Sequence, residues 1–258
     1  MIPLKDDLPT TRVPVVTLGL IAAIGLAFFW QLGLGPPGTP MDVRLLYSAQ
    51  IGGAIPHEIL TLRDVGPRDL VPPPFTILTS MFLHGGVLHL AGNLLFLWVF
   101  GNNVEDTLGR VRFLLFYLGC GVAAALAQTL LSAAAGDPLV PMVGASGAIA
   151  GVLGAYLALY PGARVVALLP LGFFATFVQI PAVFFLGFWF LQQFLSGTLT
   201  LGAETAQGGG VAWWAHVGGF VAGLALVFLF QKRDRRPSRR ETWWDDEPRY
   251  QHRRVRGW

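Results

Sequence analysis

Six stretches of this chain hold almost no charge, and each is close to the roughly 20 apolar residues a helix needs to cross a bilayer. That segregation constrains the fold more than any other feature. The stretches run from about Val13 to Leu32, Leu78 to Phe100, Phe113 to Ala135, Val143 to Tyr160, Phe173 to Leu195 and Val211 to Phe230. Apolar residues make up 53% of the chain and charged residues 13%, too few charges to clothe a soluble domain of 258 residues. The pattern predicts an all-α polytopic membrane protein. The fifth stretch is the least regular, because Pro170 and Pro181 can shift its start or kink it. The first lacks a small-residue cleavage site after Phe28-Phe29-Trp30 and reads as a retained helix rather than a signal sequence.

Six spans place both ends of the chain on one side. Of the 18 Lys and Arg residues, 15 fall on that side: Lys5, Arg12, Arg110, Arg112, Arg164 and ten beyond Gln231. Arg44, Arg63 and Arg68 fall on the other. Cytoplasmic loops carry the excess of basic residues, so both termini are expected to be cytoplasmic. The expected organisation is a cytoplasmic segment over 1–12, a membrane domain over 13–231 and a basic, flexible cytoplasmic tail over 232–258. The outer connection 33–74 mixes Pro and Gly with Leu45-Leu46-Tyr47 and Ile59-Leu60, too apolar for a disordered loop, and short interfacial helices are expected there. The net charge of +3 comes from the tail and does not point to nucleic acid. Cys120, the lone cysteine, excludes a disulfide within the chain and reads as a packing residue.

Polar and ionisable side chains inside a membrane are expensive, which makes each a functional candidate. Three clusters stand out, all near the outer ends of spans. Gly144-Ala145-Ser146-Gly147 opens the fourth, where Ser146 is either a nucleophile or ordinary small-residue helix packing. Ala215-His216 opens the sixth, and an imidazole level with Ser146 is the base that a weakly nucleophilic hydroxyl needs. His84-Gly85-Gly86-Val87-Leu88-His89-Leu90-Ala91-Gly92-Asn93 lies in the second. There His89 and Asn93, four apart on a helix, share a face and can donate hydrogen bonds to a developing oxyanion. The alternative use of His84, His89 and His216 is a zinc site. It lacks a carboxylate or thiolate at matching depth and a His-Glu-x-x-His pattern, so neither metal nor cofactor is expected. Glu105 and Asp106 lie at the cytoplasmic end and cannot complete a relay, which leaves a Ser–His dyad.

His-x-x-x-Asn, Gly-x-Ser-Gly and Ala-His-x-x-Gly-x-x-x-Gly in this order resemble the rhomboid family of intramembrane serine proteases, across nearly the whole membrane domain. The resemblance implies a six-transmembrane-helix rhomboid-like bundle. Ser146 would be the nucleophile and His216 the base, then acid. His89, Asn93 and the Ser146 N–H would form the oxyanion hole, with His84 structural. Gly101 to Gly109 looks like the family's connection between second and third spans, with Glu105 structural. It further implies transmembrane protein substrates cut near the outer face. The fifth span and the segment 196–210 would act as gate and lid, and the setting would be a prokaryotic plasma membrane. A non-catalytic rhomboid-like protein that binds membrane clients is the alternative, but such a chain is expected to lose Ser146 or His216. Two departures stand out. Ala150 replaces an aromatic residue that in some members packs on the histidine, which leaves Trp213 or Trp214 to support the His216 ring. The Trp-Arg pair of many members' first outer loop is also absent.

Overall fold

The computed structural model describes residues 1–65, 71–136, 138–172, 174–200 and 211–231. The expected tail over 232–258 and most of the expected lid segment therefore lie outside the described residues. Strand β1 (Ile2–Asp6) is followed by helix α1 (Val15–Leu32), then by two short helices, α2 (Met41–Gly52) and α3 (Pro56–Thr61). Next come α4 (Pro73–Ser80), α5 (Val87–Leu108), α6 (Arg110–Ala134) and α7 (Ser146–Leu159). Strands β2 (Arg164–Leu171) and β3 (Phe174–Pro181) lead into α8 (Ala182–Thr200) and α9 (Trp213–Phe230). Five of these helices are long and apolar enough to cross a membrane: α1, α5, α6, α8 over Ala182–Leu199, and α9. The sixth expected span is α7, which is apolar but has 14 residues.

The outer helices are apolar on every side, as lipid-facing helices must be. In α1 the inward stripe is Thr17, Leu20, Ile24, Phe28 and Gln31, while Leu26, Phe29 and Trp30 point outward and are exposed. By contrast, α7 is buried continuously from Gly147 to Tyr156. Its neighbours meet it through small residues. A side chain at Gly219 or Gly223 of α9 would collide with the carbonyls of Gly147 and Gly151, and one at Gly154 with that of Phe220. On the α6 side, Gly147 faces Ala124 and Gly151 faces Cys120, so Cys120 is a buried packing residue as expected. With so little side-chain bulk between them, the backbones of α6, α7 and α9 approach closely.

Four boundaries differ from the sequence reading. The second stretch is not one helix: α4 stops at Ser80, the chain turns through His84-Gly85-Gly86, and α5 begins at Val87. Glycine pairs interrupt helices because of their backbone freedom. The segment 101–109, expected as a connection, continues α5 to Leu108, and Gly109, at φ +82°, makes the turn into α6. The fifth span starts at Ala182, not near Phe173, because β2 and β3 form an antiparallel hairpin with Leu171 opposite Phe174 and Gly172 at φ +68°. Finally, the segment 1–12 contributes β1, which adds to β2 and completes a three-stranded sheet β1-β2-β3 beside the helices. Pro170 is tolerated because the β1 ladder ends at Leu168. The helical bundle matches the expectation, and the sheet is an addition to it. Helices α2 and α3 occupy the connection over 33–74, where short helices were expected.

Candidate active site

Ser146 is the first residue of α7, where helical N–H groups have no intrahelical acceptor and point outward. The chain reaches it through Gly144, at φ +131°, whose N–H donates to the Ser80 carbonyl at 2.9 Å. Only glycine takes that backbone shape easily. A side chain there would also strike His89, since its Cβ would lie 2.8 Å from His89 Nε2, and would touch Ser146 Oγ at 3.5 Å. Gly144 is thus the point where the His89 ring and the serine hydroxyl converge.

His216 stands in the first turn of α9, 8% exposed. Its Nε2 is 2.7 Å from Ser146 Oγ, and its Nδ1 is 2.7 Å from Gln193 Oε1 of α8. An amide oxygen only accepts, so Nδ1 carries the hydrogen, and bare Nε2 accepts the Ser146 O–H. The imidazole is walled by Trp189 of α8, ring centres 5.8 Å apart, and by the edge of Trp213 at 6.3 Å. Of the two tryptophans suggested by sequence, Trp213 meets the ring; Trp214 packs on Phe194 instead. Trp189 and Gln193 were not anticipated. Their available signal was a polar residue inside an apolar run, four positions after an aromatic one and so on the same helix face.

Across the site, Asn93 is buried in α5 and donates from Nδ2 to His84 Nε2 at 2.8 Å. His84 is itself fixed: Nδ1 donates to the Phe82 carbonyl at 3.2 Å and its backbone N–H to Gln31 Oε1 at 2.9 Å. Gln31 Nε2 returns a bond to the His84 carbonyl at 3.1 Å and another to Ser48 Oγ at 2.6 Å. This network consumes one Asn93 hydrogen and leaves the other for a ligand. His89 lies edge-on to His84, ring centres 5.0 Å apart. The structure therefore brings Ser146, His216, His89 and Asn93 to one end of the bundle. A cavity of about 30 Å³ adjoins Ser146, lined by residues including Ser80, Met81, Gly144 and Ala215.

At the opposite end, Glu105 is buried and accepts the N–H groups of Val16 (3.0 Å) and Thr17 (2.7 Å) and the Thr17 hydroxyl (2.8 Å). It caps α1 and takes no part in the site, which agrees with a structural role.

A bundle of membrane-length helices with a serine and a histidine in contact at one end defines a class, and comparison with known proteins names it. A family model described as the Rhomboid domain matches residues 73–233, which include Ser146, His216, His89 and Asn93. The chain belongs to the rhomboid family, as a multi-pass integral membrane protein. It is similar to Rhomboid protease GluP of Bacillus subtilis (strain 168), at 36% identity over 120 residues, covering 45% of this chain and 22% of that protein. It also resembles Rhomboid protein 1, mitochondrial, of Saccharomyces cerevisiae, at 35% identity over 38% of this chain and 29% of that protein. A third relative is Presenilin-associated rhomboid-like protein A, mitochondrial, of Danio rerio, at 38% identity over 35% of this chain and 24% of that protein. The matched stretches cover less than a third of each of these relatives.

Proposed function

We propose that this protein is an intramembrane serine endopeptidase that cuts transmembrane segments of membrane proteins near the outer face of a bilayer. The observation that carries the reading is the 2.7 Å contact between Ser146 Oγ and His216 Nε2. As the Ser146 oxygen attacks a peptide carbonyl, its proton passes to His216 Nε2. The second Asn93 N–H, the His89 ring and the Ser146 backbone N–H surround the negative charge that develops on the carbonyl oxygen. The imidazolium then protonates the departing amine, which leaves an ester on Ser146. Water, deprotonated by His216, hydrolyses that ester. A helical substrate conceals its carbonyls in its own hydrogen bonds, so the scissile segment must unwind first. No metal or cofactor enters the scheme.

The domain that performs this chemistry spans 13–231, with both termini cytoplasmic, in the plasma membrane of a prokaryote. The bias of Lys and Arg supports that orientation. The alternative, a client-binding protein without catalysis, gives no reason for an aligned nucleophile and base.

The test is purified protein in proteoliposomes with a transmembrane reporter substrate. Wild type should cleave it, while Ser146→Ala and His216→Ala should not. A serine-reactive probe should label Ser146. Equal cleavage by wild type and Ser146→Ala, or labelling at another residue, would overturn the proposal.

A further inference from the structure

We infer that Gln193 is a positioning residue for His216, holding the imidazole in the tautomer and rotation that make it a base. The inference rests on the protease reading above. Among the described residues no carboxylate is bonded to His216, and Asp6, Glu105 and Asp106 cluster instead near the start of α1, away from it. An imidazole free to exchange its proton between two nitrogens presents the wrong one to the serine part of the time. Here Gln193 Oε1 accepts from Nδ1 at 2.7 Å, and the side chain is 5% exposed. A buried amide on a largely apolar helix is costly unless it is used. On the same face, one turn earlier, Trp189 packs on the imidazole. One helix, α8, thus supplies both the acceptor and the wall, while Val183, Phe184, Phe188 and Leu191 of that helix face outward.

In the acylation step the Ser146 O–H bond breaks and a bond from that hydrogen to Nε2 forms. The hydrogen on Nδ1 stays there, donated to Gln193 Oε1. The amide takes no proton at any stage; it stabilises the imidazolium through its carbonyl dipole, where a carboxylate would act through charge. Among the described residues, the titratable or hydroxyl groups that face His216 are Ser146 from α7 and His89 from α5.

The test compares wild type, Gln193→Met and Gln193→Glu in proteoliposomes with the transmembrane reporter, reading kcat, KM, thermal melting and the pH profile of kcat/KM. Met fills similar space without an acceptor. It should lower kcat at least about tenfold, a part of the roughly 10²–10⁴-fold that a positioned base contributes, with KM changed little. Glu restores the acceptor, so it should recover most of the lost rate. Its charge favours the imidazolium, so the acid limb of its profile should move to higher pH. A purely structural role would not move that limb. The inference is overturned if Met retains wild-type kcat, or if Glu is as slow as Met while melting normally. It is also overturned if the Glu and wild-type profiles superimpose, and that comparison stands even where Met fails to fold. Cleavage by Ser146→Ala would instead defeat the protease reading; an inactive Ser146→Ala beside a fully active Met variant defeats the positioning role alone.

Discussion

Gly223 of α9 rests on the backbone of Gly151 in α7, so that a side chain at position 223 would occupy the space of the Gly151 carbonyl. Gly219 meets Gly147 in the same way, and the two α9 glycines lie three and seven residues beyond His216. This stripe sets the distance between α7 and α9, and through it the distance between Ser146 and His216. Gly223→Val should therefore separate the helices, destabilise the protein by about 1–3 kcal/mol through overpacking, and abolish reporter cleavage. Gly25→Ala in α1 is the control, since its added carbon meets nothing within 4 Å. Melting curves and labelling of Ser146 by a serine probe measure both effects. Normal labelling in Gly223→Val would show that the close approach is dispensable.

Asn93 has two tasks that substitution can separate. One amide hydrogen goes to His84, and in the proposed mechanism the other serves the oxyanion. Asn93→Ala should slow turnover by about 10²–10³-fold, as expected for one oxyanion donor. It should also lower stability by about 1–3 kcal/mol, because His84 Nε2 is left buried without a donor. His84→Ala removes the support and not the donor, so its stability should fall while turnover at low temperature falls less. If Asn93→Ala turned over at the wild-type rate, Asn93 would lose its oxyanion role.

The end of the bundle opposite the dyad tests stability without touching the site. Proline 14 precedes α1 and supplies no side-chain cap; Glu105, from α5, accepts the helix's first N–H groups from outside. A carboxylate at a helix N-terminus satisfies orphan donors and complements the helix dipole. Glu105→Ala should cost about 1.5–3 kcal/mol, the range for hydrogen bonds to a charged group, with Glu105→Gln in between. Ser146 labelling in the cold should be unchanged in both. Loss of labelling with an unaltered melting point would argue for a direct link to the dyad.

The spans were legible because exclusion of charge leaves a mark on every residue of a membrane helix, and the depth of Ser146 and His216 followed from which end of each span they occupy. The hairpin over 164–181 was not. Val165-Val166-Ala167-Leu168-Leu169 and Phe174 to Ile180 are apolar runs whose periodicity does not separate a buried strand from a span. What decides the matter is pairing with β1, more than 150 positions away in sequence, which local pattern does not encode. The support of His216 was hidden for a similar reason. The ring that packs on His216 comes from Trp189 on α8 and not from α7, where Ala150 stands, and choosing Gln193 over its neighbour Gln192 requires the rotation of α8 about its axis. Motifs within one helix were readable; side chains that meet across helices were not.

Asp6 gives a pH dependence with a defined sign. Its carboxylate accepts from Tyr156 Oη and from Asn103 Nδ2, both at 2.5 Å, and so fastens β1 to α7 and α5. Burial dominates over these bonds and raises the Asp6 carboxyl from 3.8 to about 6. At pH below about 4, folded and unfolded chains both hold the proton. Between about 4 and 6 the folded chain keeps a proton the unfolded chain has lost, so raising the pH through this window draws the equilibrium toward unfolding. Above 6 the full penalty of a buried charge is present. Asp6→Asn retains a carbonyl acceptor and never ionises. Relative to wild type, it should melt at a similar temperature near pH 4 and at a progressively higher one up to about pH 6.5, beyond which the gap should stay constant. Subtracting the two melting profiles cancels the carboxylates they share. A difference that is flat across the window, or that grows in the opposite direction, would mean that Asp6 does not carry its proton into the folded state.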